Sequence, residues 1–269
     1  MYAATYLSSN SFRRYLPDWI TTGVMFAYFF LVAEHAMPFN RQFKLEDATL
    51  QHPFTVAERV PGVTCLVLAT VVPALVIAVV TFSKHAKTKS HAWHVFQISL
   101  LGLALTVSVD GVVTDILKCW VGRPRPDFLA RCGPMEGTPV DQFVDISVCT
   151  APLGMSVLAD GMRSTPSGHS SISFSAFLYL AMWIYGQFQL TRRPRDIHLH
   201  LLAALPLLLA SYVALSRVQD YRHHFVDIFS GGILGCTIAY TMYHKYFHPV
   251  SSSSSHEVLG AEDDKLLPL

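Results

Sequence analysis

The chain has 269 residues, 51% of them apolar and only 14% charged, with a mean hydropathy of +0.35 and a formal net charge of +1. Soluble domains carry about 25% charged residues, so this deficit points to a membrane protein. The balanced charge speaks against a nucleic-acid partner, and the five cysteines form neither a disulfide-rich scaffold nor a zinc-ligand spacing.

In chain order, residues 1–18 read as a cytosolic segment carrying Arg13 and Arg14. The apolar run 19–37 is longer than the core of a cleavable signal and lacks a small-residue cleavage site, so it predicts a first transmembrane helix. Further spans are predicted at 62–82, 96–117, 170–188, 199–215 and 225–246. The fifth contains Pro206, which is tolerated where neighbouring helices satisfy the freed carbonyl. The expected fold is therefore all-α, a polytopic membrane protein with a six-helix bundle forming one domain over 19–247. Residues 248–269 hold a serine run followed by mixed charge and predict a disordered cytosolic tail. Within that tail, Glu262, Leu266 and Leu267 fit an acidic di-leucine sorting pattern that is often matched by chance.

Lys84, Lys87 and Lys89, then Arg192, Arg193 and Arg195, fall on the same side as Arg13 and Arg14. By the positive-inside rule that side, with both termini, is cytosolic. The loops at 38–61, 118–169 and 216–224 then face the lumen or the exterior. Cys132 and Cys149 share the longest of them and could pair if it meets an oxidising compartment. Cys65 and Cys236 lie in apolar runs, as buried residues do.

Three segments on that outer side carry candidate chemistry. KCWVGRPRP at 118–126 supplies Lys118 and Arg125, with Pro124 and Pro126 forcing a turn after the third span. Taken alone, such cations are better explained by snorkelling to the interface. STPSGHSS at 164–171 places Ser167 and Gly168 at a helix start, where free amides and the helix dipole favour an anion. His169 beside them is suited to proton donation near neutrality. SRVQDYRHHFVD at 216–227 adds Arg217, which can grip phosphate oxygens. There His223 and Asp227 are four residues apart and share a face, so the carboxylate can hold one ring nitrogen protonated and leave the other to attack phosphorus. On these grounds His224 serves as well as His223. Together the segments suggest a cationic phosphoryl-transfer site with no metal and no cofactor, because Asp127, Glu136, Asp141, Asp145 and Asp160 are scattered along the chain. Asp115, three residues before Lys118, is expected to pair with it; Asp110 has no evident partner.

The spacing Lys-x6-Arg-Pro, Pro-Ser-Gly-His and Ser-Arg-x5-His-x3-Asp resembles the type-2 phosphatidate phosphatase (lipid phosphate phosphatase) superfamily, over about residues 38–247. WVGRPRPDFLARC, DGMRSTPSGHSS and ALSRVQDYRHHFVD are most similar to the fungal diacylglycerol pyrophosphate phosphatases. That resemblance implies a Mg²⁺-independent enzyme of the vacuolar membrane with a luminal site. Its substrates would be diacylglycerol pyrophosphate, converted to phosphatidate, and then phosphatidate, converted to diacylglycerol. It also selects His223 as nucleophile, with His169 as acid and Asp227 orienting. The phosphate ligands would be Lys118, Arg125, Ser167, Gly168 and Arg217. Competing expectations are action on a polyprenyl pyrophosphate or a sphingoid-base phosphate, and a non-catalytic binder or transporter of anionic lipid.

Overall fold

The structure, a computed structural model, describes residues 2–260. Among these there are helices and isolated bridges but no strands. Six long helices form the body: α1 (Leu16–Leu31), α2 (Gly62–Lys84), α3 (Lys89–Val121), α4 (Gly168–Gln187), α5 (Ile197–Gln219) and α6 (Phe225–Tyr246). Five of them are long and apolar enough to cross a membrane, the first as Leu16–His35; α4 is not among the five. Ser170, Ser171, Ser173, Ser175 and His169 lower its apolar content. Its position explains how that composition survives: α4 packs against α2, α3, α5 and α6, and 14 of its residues are buried. A helix enclosed by protein needs no apolar outer face, only partners for its hydroxyls. Ser170 Oγ donates to the Ile228 carbonyl at 2.6 Å, and Ser171 and Thr114 share a 2.8 Å bond. Gly231 and Gly235 of α6 let that helix lie directly on the α4 backbone, where any Cβ would strike the carbonyls of Ser167 and Ser171.

The long central helix α3 exceeds its predicted span at both ends, because no breaker intervenes between Lys89 and Val121. Gly122 stops it in the left-handed conformation (φ +55°), and a side chain there would collide with the Phe39 carbonyl. Pro73 and Pro206 lie inside α2 and α5 without ending them.

The predicted disorder of the tail does not hold up to residue 260. Phe247 and Val258 pair as an antiparallel bridge, Leu259 N–H donates to the Tyr246 carbonyl, and the buried Ser255 hydroxyl donates to Gly186. The serine run supplies turns, and Val258 supplies the apolar anchor that its composition hides. The di-leucine residues lie outside the described part. The N-terminal segment is also tied in, with Asp18 bonded to Tyr246 and Lys245.

At the other end of the bundle the outer loops build a cap around a second small core of Phe43, Leu50, Phe128, Leu158 and Met162. Cys132 and Cys149 are paired, closing a separation of 17 residues and joining the short helix Phe128–Cys132 to the turn Ile146–Val148. A loop of that size constrains the unfolded chain by about 3 kcal/mol. Cys132→Ser combined with Cys149→Ser is therefore expected to lower the melting temperature of the purified protein, and reductant to lower that of the wild type equally. An unchanged melting curve in both cases would contradict the role given to the bridge.

Candidate active site

The three predicted segments meet at the capped end of the bundle. His223 sits in the turn between α5 and α6, 3% exposed, with its Nδ1 2.7 Å from the Ser164 carbonyl. A carbonyl can only accept, so Nδ1 carries the proton and Nε2 keeps its lone pair. The expected partner does not make this bond: Asp227 Oδ2 is 3.9 Å away, beyond hydrogen-bonding distance. As the third residue of α6, Asp227 instead folds back in a capping box, accepting from the His224 backbone N–H at 2.8 Å and contacting His224 Nδ1 at 3.1 Å. It also accepts from Ser164 Oγ at 2.6 Å, Arg123 at 3.0 Å and the Thr165 hydroxyl. Asp227 thus fixes the Ser164–Thr165 backbone that holds His223. Burial pushes the His223 imidazole well below the usual histidine range; Arg125 pushes the same way, against the opposing pull of Asp227. The ring is neutral at pH 7.

His169, in the first turn of α4, has Nε2 3.0 Å from the Val60 carbonyl. By the same logic that nitrogen carries the proton, and passing a proton to a leaving group requires either Nδ1 protonation or release from Val60. Lys118 and Arg125 act electrostatically on both imidazoles, and His169 acts on His223. The α4 start is held as predicted but with different donors. The Ser167 amide is taken by the Asp227 carbonyl at 2.9 Å and its hydroxyl caps Ser170. This leaves the amides of Gly168 and His169 as the first-turn donors that the helix itself does not use.

Lys118 does pair with Asp115, at 3.4 Å, and its ammonium lies against Gly168, so that a Cβ there would stand 2.9 Å from Nζ. Gly168→Ala is accordingly expected to push Lys118 aside and raise KM for a phosphorylated substrate about tenfold, with little change in melting temperature. Wild-type kinetics in that variant would contradict this use of Lys118.

The arginines are more heavily engaged than the sequence suggests. Arg125 bonds Asp160 at 2.6 Å; Arg217 bonds Asp220 at 2.6 Å and Glu58 at 2.9 Å. These pairs continue as one chain: Arg59–Asp220–Arg217–Glu58–Arg222–Asp127–Arg131–Asp160–Arg125. Burial alone would raise Asp160, but Arg125 and Arg131 outweigh it and hold the carboxyl well below its usual range. Of the carboxylates scattered in sequence, Asp127 and Asp160 are thus counterions, with Glu58 and Asp220, that keep a dense set of guanidinium groups in place. Among the described residues no group of His, Cys, Asp and Glu is arranged to hold a metal.

Sequence reasoning missed the wall formed by the first outer loop. Glu58 reaches Arg217 and Arg222, Arg59 reaches Asp220, Val60 meets His169, and Phe54 lies under the cations of Arg131 and Arg222. The available signal was the adjacent acid and base Glu58 and Arg59 within LQHPFTVAERVP at 50–61, a segment that resembles the family's but names no site residue. The site opens sideways into a cavity of about 320 Å³ between α1, α2, α3 and α4, with Lys118, Gly168 and His169 at its polar end and Phe29, Phe30, Val63 and Leu66 along it. Asp110 is fully buried in α3, beside the Ser171 hydroxyl of α4.

An apolar helical bundle with two histidines and a cationic pocket at one end has the features of a membrane-embedded phosphoryl-transfer protein. The signature of the PAP2 superfamily matches residues 99–250, and the chain belongs to that family. The match contains every predicted site residue but not the first outer loop. The chain is 42% identical to "Probable diacylglycerol pyrophosphate phosphatase 1" of Schizosaccharomyces pombe, over 80% of its own length and 75% of the relative's. It is 41% identical to "Diacylglycerol pyrophosphate phosphatase 1" of Saccharomyces cerevisiae, over 87% and 80%. To "Lipid phosphate phosphatase 2" of Arabidopsis thaliana it is 34% identical, over 88% and 79%. No solved structure matches the chain.

Proposed function

We propose that this protein is a lipid phosphate phosphatase that works without a metal through a phosphohistidine. It hydrolyses diacylglycerol pyrophosphate to phosphatidate and phosphatidate to diacylglycerol. The observation that carries this reading is the buried, neutral His223, with Nδ1 pinned by Ser164 and Nε2 unprotonated, in a pocket whose Lys118 and Arg125 act on both imidazoles. His223 Nε2 forms a bond to phosphorus as the bond to the leaving oxygen breaks, and that oxygen takes a proton from His169. Water then attacks the phosphohistidine, giving its proton to His169 as the N–P bond breaks and phosphate is released. Lys118, Arg125 and Arg217, with the amides at the α4 start, stabilise the equatorial oxygens. Ser167 and Asp227 serve as positioning groups for α4 and for His223.

The 320 Å³ side cavity supports a lipid substrate. Its apolar walls suit the first carbons of an acyl chain, while the headgroup reaches Lys118 and His169. In this reading α4 is the sixth span of a domain covering 19–247. The capped end is luminal and both termini are cytosolic, as the basic inner loops and the disulfide support. The names of the fungal relatives favour a glycerolipid substrate, and the vacuolar membrane is what the family resemblance implies.

The test is phosphate release by the purified protein in detergent with excess chelator. Diacylglycerol pyrophosphate, phosphatidate, lysophosphatidate and a polyprenyl pyrophosphate would be compared, with and without vanadate. Turnover of the first two, blocked by vanadate, is expected. No release from any lipid would mark a binder, and a preference for the polyprenyl substrate would reassign the lipid tail.

A further inference from the structure

A second cavity, of about 580 Å³, opens on the outer face and is lined by Arg41, Lys44, Glu46, Phe143, Arg123 and His224. It shares no lining residue with the apolar side cavity. It adjoins the site through its own residues, since Arg123 and His224 both bond Asp227, which also accepts from the Ser164 hydroxyl behind His223.

We propose that this cleft binds inorganic phosphate, the hydrolysis product, on its way to water. The proposal rests on the reading of the protein as a lipid phosphatase. Breaking the phosphohistidine leaves a free phosphate anion in the pocket. The side cavity offers it Phe29, Phe30, Val63 and Leu66, a direction that would strip a charged group of its water without compensation. The outer cleft offers the opposite chemistry. Arg123 uses one nitrogen on Asp227 and is 36% exposed at its side chain, leaving N–H groups for an oxyanion. His224 Nδ1 faces Asp227, while its buried Nε2 has no partner among the described residues. That lone pair can accept the P–O–H of monobasic phosphate. Arg41 braces its guanidinium on the Val121 carbonyl with one nitrogen, and Lys44 lies over the Phe143 ring. Two carboxylates also line the cleft. Glu46 pairs with Lys44 at 3.1 Å, and Asp47 is turned onto Thr49. A polar exit separate from the lipid entrance lets the next lipid approach while phosphate departs.

The experiment follows initial rates on phosphatidate as inorganic phosphate is added, and extracts the product-inhibition constant. Lys44→Gln and Arg41→Gln should each weaken inhibition about two- to fivefold, and Glu46→Gln should tighten it by a similar factor. Opposite signs from neighbouring substitutions cannot come from general damage to the fold. Constants that stay unchanged, or that all move in one direction, overturn the proposal. A parallel series with glycerol 3-phosphate separates the product from the substrate headgroup. If the substitutions change inhibition by glycerol 3-phosphate and not by phosphate, the cleft holds the headgroup and the proposal fails. Should the wild type release no phosphate from any lipid, the functional reading has failed instead. Equilibrium dialysis of radiolabelled phosphate against wild type and Lys44→Gln then decides the cleft by itself.

Discussion

His223→Gln is expected to lower kcat by about four orders of magnitude or more, the cost of deleting a covalent nucleophile whose partners remain. The variant should also fail to accumulate an acid-labile phosphoenzyme when a reaction with labelled substrate is quenched in alkali, where wild type forms one. The fold should persist, because the imidazole gives up a single hydrogen bond, to the Ser164 carbonyl, and Asp227 keeps its own donors. A pH profile adds an independent check with a definite sign. The active form is the unprotonated ring, and burial moves its protonation below the ordinary value of about 6.5. The acid limb of kcat/KM assigned to His223 should therefore lie below pH 6.5, with activity falling as pH descends through the depressed value. A limb at or above 6.5 that vanished in the variant would contradict the buried, neutral nucleophile. His224→Gln should cost far less, which separates the two adjacent histidines.

The second large effect belongs to His169. His169→Gln is expected to lose about 10²- to 10⁴-fold on phosphatidate, whose alkoxide leaving group needs a proton. In kcat/KM, which reports transfer to His223, it should lose far less on an aryl phosphate, whose phenol leaves unaided. Rapid-quench measurements should then show the phosphoenzyme formed from the aryl substrate and hydrolysed slowly, because the same ring activates water. Equal losses of kcat/KM on both substrates, with no phosphoenzyme build-up, would remove His169 from proton transfer and leave it a structural role against Val60.

Much of this site was legible because its chemistry is local. Pro-Ser-Gly-His spells a helix start, and Phe225–Tyr246 coincides with its predicted span. What escaped were contacts across sequence. Asp227 is close enough to His223 in the chain to be assigned to it, but a helix N-terminus claims a carboxylate at its third position first. Ser164, which opens the STPSGHSS segment but precedes its Pro-Ser-Gly-His motif, orients His223 through a backbone carbonyl, a group every residue carries and no motif can advertise. Glu58 and Asp220 look like ordinary loop acids until the loops meet. The tail to residue 260 was misread because composition reports solubility on average, whereas one Val258 in a fitting slot is enough to dock a turn-rich segment.

The hydroxyl-rich α4 also bears on how the protein is made. Insertion machinery sorts each emerging segment by its own affinity for lipid, and this segment has the weakest claim of the six although it carries His169. Of its serines, Ser170 finds its acceptor on α6, at the Ile228 carbonyl, where Gly231 and Gly235 let the two backbones touch, yet α6 is synthesised last. A chain cut short after α5 would therefore lack both the acceptor of Ser170 and the small-residue face on which α4 rests, a defect of assembly seated well away from His169 and His223.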